Sequence, residues 1–145
     1  MKPNIATLAL ATLVAIASLS QANAQTLASR VTVPFAFECG GVSFAPGTYT
    51  VNRLDQDHIT LGDNQSSSIV MTNNADGPKN TAPGYLTFRK YGDRYFVAEY
   101  HAANSPNSMA VPASGKESRV ARDYAMNPTD AGRVQLALNN SGWAR

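Results

Sequence analysis

The chain has 145 residues, with 12 Lys and Arg against 10 Asp and Glu. That is enough for one domain, and the charges are interspersed rather than gathered on a segment, so the basic footprint that nucleic-acid binding requires is missing. Cys39 is the only cysteine, which excludes an intramolecular disulfide and leaves apolar burial and strand pairing to hold the fold.

The chain opens with Lys2, an uncharged apolar run over 5–19, a polar step at Ser20-Gln21, and the triplet Ala22-Asn23-Ala24. Those are the parts of a cleavable secretory signal peptide over 1–24, with cleavage expected between Ala24 and Gln25. The apolar run is shorter and weaker than the ~20 strongly apolar residues of a bilayer span, so no retained membrane anchor is expected. Removing 24 of 145 residues leaves a domain of 121, over 25–145, and removing Lys2 leaves 11 basic residues against 10 acidic. The expected location is the periplasm or the extracellular space.

From Val31 the residues Val31, Val33, Phe35, Phe37 and Cys39 alternate with Thr32, Pro34, Ala36 and Glu38, the pattern of a half-buried strand. Pro34 lacks an amide donor and places this strand at a sheet edge or beside a bulge. Gly40-Gly41 makes a two-residue hairpin turn that sets Cys39 opposite Val42 and Phe37 opposite Phe44, carrying the apolar face onto the next strand. Cys39 then reads as a buried thiol, the alternative being an intermolecular bridge. Pro46-Gly47 interrupts the second strand, which resumes at Thr48-Tyr49-Thr50-Val51. Strands at 58–61 and 67–72 flank Gly62-Asp63-Asn64-Gln65 as a second hairpin.

The stretch 73–84, rich in Asn, Asp, Gly and Pro, reads as a long loop. Strands at 85–91 and 95–101 surround Gly92-Asp93. A two-residue turn would set Phe96 against Arg89 and mix polar with apolar groups, so a three-residue loop or a bulge is expected. Residues 103–112 read as loop. Ser114 and Glu117 form a capping box that opens a helix over 115–125, closed by Asn127-Pro128. Val134, Leu136 and Leu138 mark a last strand. The predicted fold is all-β with one short C-terminal helix, an antiparallel meander forming a small β-sandwich or a closed barrel.

Three segments occur in a fixed order: Val31-Thr32-Val33-Pro34-Phe35-Ala36-Phe37, Phe44-Ala45-Pro46-Gly47-Thr48-Tyr49-Thr50-Val51, and Phe88-Arg89-Lys90-Tyr91-Gly92-Asp93-Arg94-Tyr95-Phe96. Together they resemble a family of small exported bacterial β-rich proteins of unassigned function. The resemblance implies export and a β domain, and it carries no catalytic residues.

The candidate chemistry is sparse. His58 and His101 have acidic neighbours but no metal-ligand spacing, and they read as strand-edge histidines facing water. Ser66-Ser67-Ser68 has no adjacent base, and Gly40-Gly41 is not followed by the Lys-Ser/Thr of a phosphate loop. Neither a catalytic constellation, nor a metal site, nor a cofactor is expected. The feature nearest to a binding signal is the aromatic cluster of the 85–101 hairpin. Tyr85, Tyr91, Tyr95 and Tyr100, with Arg89 beside them, could line a groove for a small ligand or could pack across strands. The function expected is an exported non-enzymatic β protein with a structural or interaction role. The alternative is a small-ligand carrier using the aromatic strand face or a barrel mouth; a small hydrolase or metal enzyme comes last. An unpaired edge such as 31–37 would also be a template for self-association.

Overall fold

The computed structural model describes residues 28–77, 83–126 and 131–140. The expected leader over 1–24 with its expected cleavage between Ala24 and Gln25, and the expected helix stop at Asn127-Pro128, lie outside them. The alternating run over 31–39 makes two strands rather than one. Strand β1 (Ser29–Val33) ends before Pro34, and β2 (Phe37–Cys39) begins beyond it in a different sheet. Proline cannot donate to a ladder, so the chain uses it as the crossing point between layers. Val31 and Val33 thus enter the core from one side, and Phe37 and Cys39 from the other.

The Gly40-Gly41 hairpin forms in the expected register, Phe37 opposite Phe44 and Cys39 opposite Val42, joining β2 to β3 (Val42–Phe44). Both glycines have positive φ, 59° and 86°. The apolar face does not continue as expected to Val42, which is exposed while Cys39 is buried. The strong twist of a two-stranded ribbon turns its tip outward. After Ala45-Pro46 the chain returns to the first sheet as β4 (Gly47–Arg53), followed by the hairpin of β5 (His58–Gly62) and β6 (Ser67–Met71). The Asp63 carboxylate fixes that hairpin's loop by accepting the amides of Ser66 at 2.7 Å and Gln65 at 2.8 Å. Those bonds hold its pKa below the ordinary carboxylate value.

Two stretches expected to be loop contain strands. β7 (Asn73–Asp76) pairs antiparallel with β10 (Asn107–Ala110), which in turn pairs with β9 (Arg94–His101). Neither segment has intrinsic strand character, and neighbours distant in sequence supply the ladder. β8 (Tyr85–Tyr91) and β9 are joined by the two-residue turn Gly92-Asp93, with Tyr91 opposite Arg94, so the three-residue loop is corrected. The bulge is present. Thr87 lies opposite Glu99 but Phe88 opposite Val97, leaving Ala98 as the extra residue.

Helix α1 (Gly115–Met126) starts at Ser114, whose Oγ accepts the Glu117 amide at 3.1 Å. β11 (Ala131–Ala137) pairs with β8, and β12 (Asn139–Asn140) pairs with β1. Between them, Leu138 crosses from one layer to the other and donates its amide to the Gly84 carbonyl at 2.8 Å.

The result is a two-layer β-sandwich and not a closed barrel. One sheet has the order β12-β1-β4-β5-β6 and the other β11-β8-β9-β10-β7, with β2–β3 attached through a parallel contact of β2 with β9. Val31, Val33, Val51, Ile59 and Leu61 meet Leu86, Phe88, Val97, Tyr100 and Met109 between the layers. Phe37, Phe44 and Tyr49 close one end by ring contacts with centroids 5.1 to 5.4 Å apart.

Gly40 sets the fit between the hairpin and β6. A Cβ there would lie 2.9 Å from Val70 Cγ2, whereas one at Gly41 would meet nothing within 4 Å. Both substitutions to Ala carry the ~1–2 kcal/mol cost of a left-handed backbone, and Gly40→Ala adds about 1 kcal/mol or more of overpacking. Denaturant titration is expected to rank Gly40→Ala below Gly41→Ala; equal stabilities would contradict this packing.

Candidate functional site

The bulge at Ala98 decides which side chains of the β8–β9 hairpin face outward. Arg89, Tyr91 and Phe96 lie on the outer face beneath α1, while Leu86, Phe88, Val97 and Tyr100 face the core. The Arg89 guanidinium is held here through its Nε and Nη2. Its Nε donates to Glu117 Oε1, and its Nη2 donates to Glu117 Oε2 at 3.0 Å and to the Val111 carbonyl at 3.0 Å. Glu117 is only 2 % exposed, so its carboxylate serves the sheet rather than completing the capping box. Tyr91 OH donates to Glu117 Oε1 at 3.5 Å, and its ring meets Phe96 and Tyr124 edge-on. Burial, and then the Glu117 charge, raise the Tyr91 pKa.

A second set of charges ties down the start of the helix. Arg94 reaches Glu38 Oε1 at 2.8 Å, and Lys116 reaches Oε2 at 2.9 Å. Burial pushes the Glu38 pKa up, but the two cations outweigh it and hold it below the ordinary value. α1 is thereby strapped to the outer face of the second sheet at Arg89 and at Glu38.

The proposed ligand cluster is not gathered on one surface. Tyr91 and Arg89 are under the helix. Tyr85, farther along the outer face, stacks on His101 at 4.8 Å and donates to Glu99 at 3.3 Å. Tyr95 stacks on Phe35 at 3.9 Å beside the core, and Tyr100 is buried within it, bonded to the Ser29 side chain. Strand alternation and the bulge put these rings on both sides of one sheet. An open hollow of about 180 Å³ lies between Glu38, Phe44, Arg94 and Tyr95, and one of about 250 Å³ between Thr50, Asn52, Thr60 and Asn64. Both are smaller than the ~300–1,000 Å³ of ordinary ligand pockets.

The histidines are also apart. His58, on the first sheet, is partly exposed and pairs with Asp55 at 2.9 Å. The backbone amide of Asp57 and the imidazole of His58 hold the Asp55 pKa below its ordinary value. His101, expected to face water, is fully buried, with the Tyr85 ring stacked on it and Ser108 of the neighbouring strand β10 against its Nδ1. Its Nδ1 lies 3.3 Å from Ser108 Oγ, and its Nε2 has no hydrogen-bond partner among the described residues. Among the described residues, no group of three or more His, Cys, Asp or Glu is placed to hold a metal ion. Cys39 is a buried free thiol, and burial pushes its pKa up to about 12. It therefore stays protonated and is no nucleophile near neutral pH.

The feature that sequence reading missed lies on the other sheet. β6 ends the first sheet, and its outward side chains Ile69 and Met71 are 66 % and 65 % exposed. Leu54, 59 % exposed, extends this strip: its amide bonds the carbonyl of His58, which stands opposite Met71. The edge expected at 31–37 is instead flanked, with β1 between β4 and β12. Ser67 to Met71 held the signal, since Val70 faces one way and Ile69 with Met71 the other. Comparison with protein-family models, with curated proteins and with solved structures finds no match to this chain.

Replacing Glu117 by Ala leaves Arg89 without its partner beneath the helix. The expected cost is about 3 kcal/mol, the lower end for breaking a buried pair because the Arg89 side chain keeps 23 % exposure. Ser114→Ala removes only the cap, at about 1 kcal/mol. Equilibrium unfolding that ranked the two the other way would contradict the role given to the ion pair.

Proposed function

We propose that the chain is exported and acts as a non-enzymatic β-sandwich protein, with a structural or interaction role in the envelope or the extracellular space. Export rests on Lys2, the apolar run over 5–19 and the Ala22-Asn23-Ala24 triplet. The resemblance to small exported bacterial β proteins agrees with it.

The interaction role rests on one observation, the exposed apolar side chains on the terminal strand β6. An unpaired edge beside exposed Ile and Met is the arrangement that accepts a further strand. Isolated exposed apolar residues are ordinary, but here they stand on a strand that, among the described residues, has a neighbour on one side only. The other wall of the molecule, under α1, has its charges satisfied internally.

The test is a photo-crosslinking residue introduced at Ile69 and, as a control, at Arg119 on the exposed side of α1, in cells that export the chain. Adducts are expected from position 69 and not from 119. Equal labelling, or none at 69, would contradict the interaction role. Recovery of the protein in the cytoplasm with Met1 intact would contradict export.

A further inference from the structure

We infer that the partner of β6 is β6 of a second copy of this chain, paired antiparallel about Ile69; this rests on the interaction role proposed above. The ladder bonds decide which backbone groups face the open side. The Thr72 amide donates to the Asp57 carbonyl at 2.6 Å, and the Asp63 amide to the Ser66 carbonyl at 2.8 Å. Ser66 and Thr72 therefore direct their backbone groups toward β5. Since direction alternates along a strand, Ser68 and Val70 do the same, and Ser67, Ile69 and Met71 direct N–H and C=O away from the sheet.

A two-fold axis at Ile69 makes this edge self-complementary. Ile69 then stands opposite Ile69 of the other copy, and each Ser67 opposite a Met71. In that register these are the hydrogen-bonded pairs, so every outward N–H of one copy meets an outward C=O of the other. The Ile69 side chains come together on the outer face, each diagonal to a Met71 of the other copy. β6 itself carries no charge, proline or bulge, the devices that keep edges apart.

Other described edges are protected. β7 carries exposed Asp76, β11 carries exposed Arg133, and β3 and β12 are only 3 and 2 residues long. Nearby acidic groups do not oppose the pairing. Asp57 of one copy and Asp63 of the other end up three strand spacings apart, about 14 Å, which exceeds the ~8 Å screening length at physiological salt. Five paired residues bury less than the ~1,200 Å² of a standard stable interface. The association is therefore concentration-dependent.

The experiment is sedimentation velocity on the full exported chain, from micromolar to millimolar concentration. The wild type is expected to shift from monomer to dimer. Ile69→Lys and Ile69→Glu are each expected to stay monomeric, because like charges would meet across the axis, and an equimolar mixture of the two is expected to recover the dimer. That recovery also shows both variants to be folded. A wild type that remains monomeric throughout, or a mixture that does not associate, overturns the inference. The crosslinks from position 69 separate the two claims. Adducts only to a different protein, with a monomeric wild type, sink self-pairing and leave the interaction role standing, whereas no adduct at all sinks both.

Discussion

The asymmetry of this sandwich depends on the ion pair between Arg89 and Glu117. A sheet faced by solvent on one side tolerates an arginine without help, but here the guanidinium is covered by a helix. Its charge has to be met there, since leaving a charge buried and unpaired costs several kcal/mol. Glu117 meets it from the first turn of α1, where a carboxylate is also favoured by the helix dipole. Glu38, Arg94 and Lys116 repeat the arrangement at the helix start. The bulge at Ala98 makes this possible by turning Phe96 outward with Arg89 while keeping Val97 and Tyr100 in the core.

One consequence is a molecule with two unlike walls. The second sheet has α1 on its outer surface, its histidine stacked beneath Tyr85 and the charges under the helix, Arg89 and Glu117, paired with each other. Among the described residues the first sheet has no such cover beside β6. Its threonines are partly self-satisfied, as where Thr32 and Thr48 bond at 3.0 Å, yet its last strand presents Ile69 and Met71 to solvent. The proposed association rests on that contrast.

What could be read from the sequence was what is encoded locally. Gly40-Gly41, the Asp63 loop and Ser114 each act within a few residues, and the hairpins and the helix start formed where those signals stand. The bulge was legible as an expectation because the polar and apolar positions of 85–101 could not be reconciled with unbroken pairing. β7 and β10 were not legible, since Asn73-Asn74-Ala75-Asp76 becomes a strand only because β10 lies beside it. The tyrosines looked like one cluster because they are near in sequence. Alternation across a sheet, compounded by one inserted residue, sent them to opposite faces. Alternation along 67–71 separates Ile69 and Met71 from Val70, but that β6 ends the first sheet depended on the order of strands, which no local pattern states.

The central claim is that β6 offers an open, regular edge. Amide hydrogen exchange read residue by residue at low protein concentration tests it directly. Ser68 and Val70, whose amides bond to β5, are expected to be protected, and Ser67, Ile69 and Met71 to exchange rapidly, with their protection rising as concentration increases. Protection of Ile69 and Met71 in dilute solution equal to that of Val70 would mean that the edge is already covered, and would contradict the account.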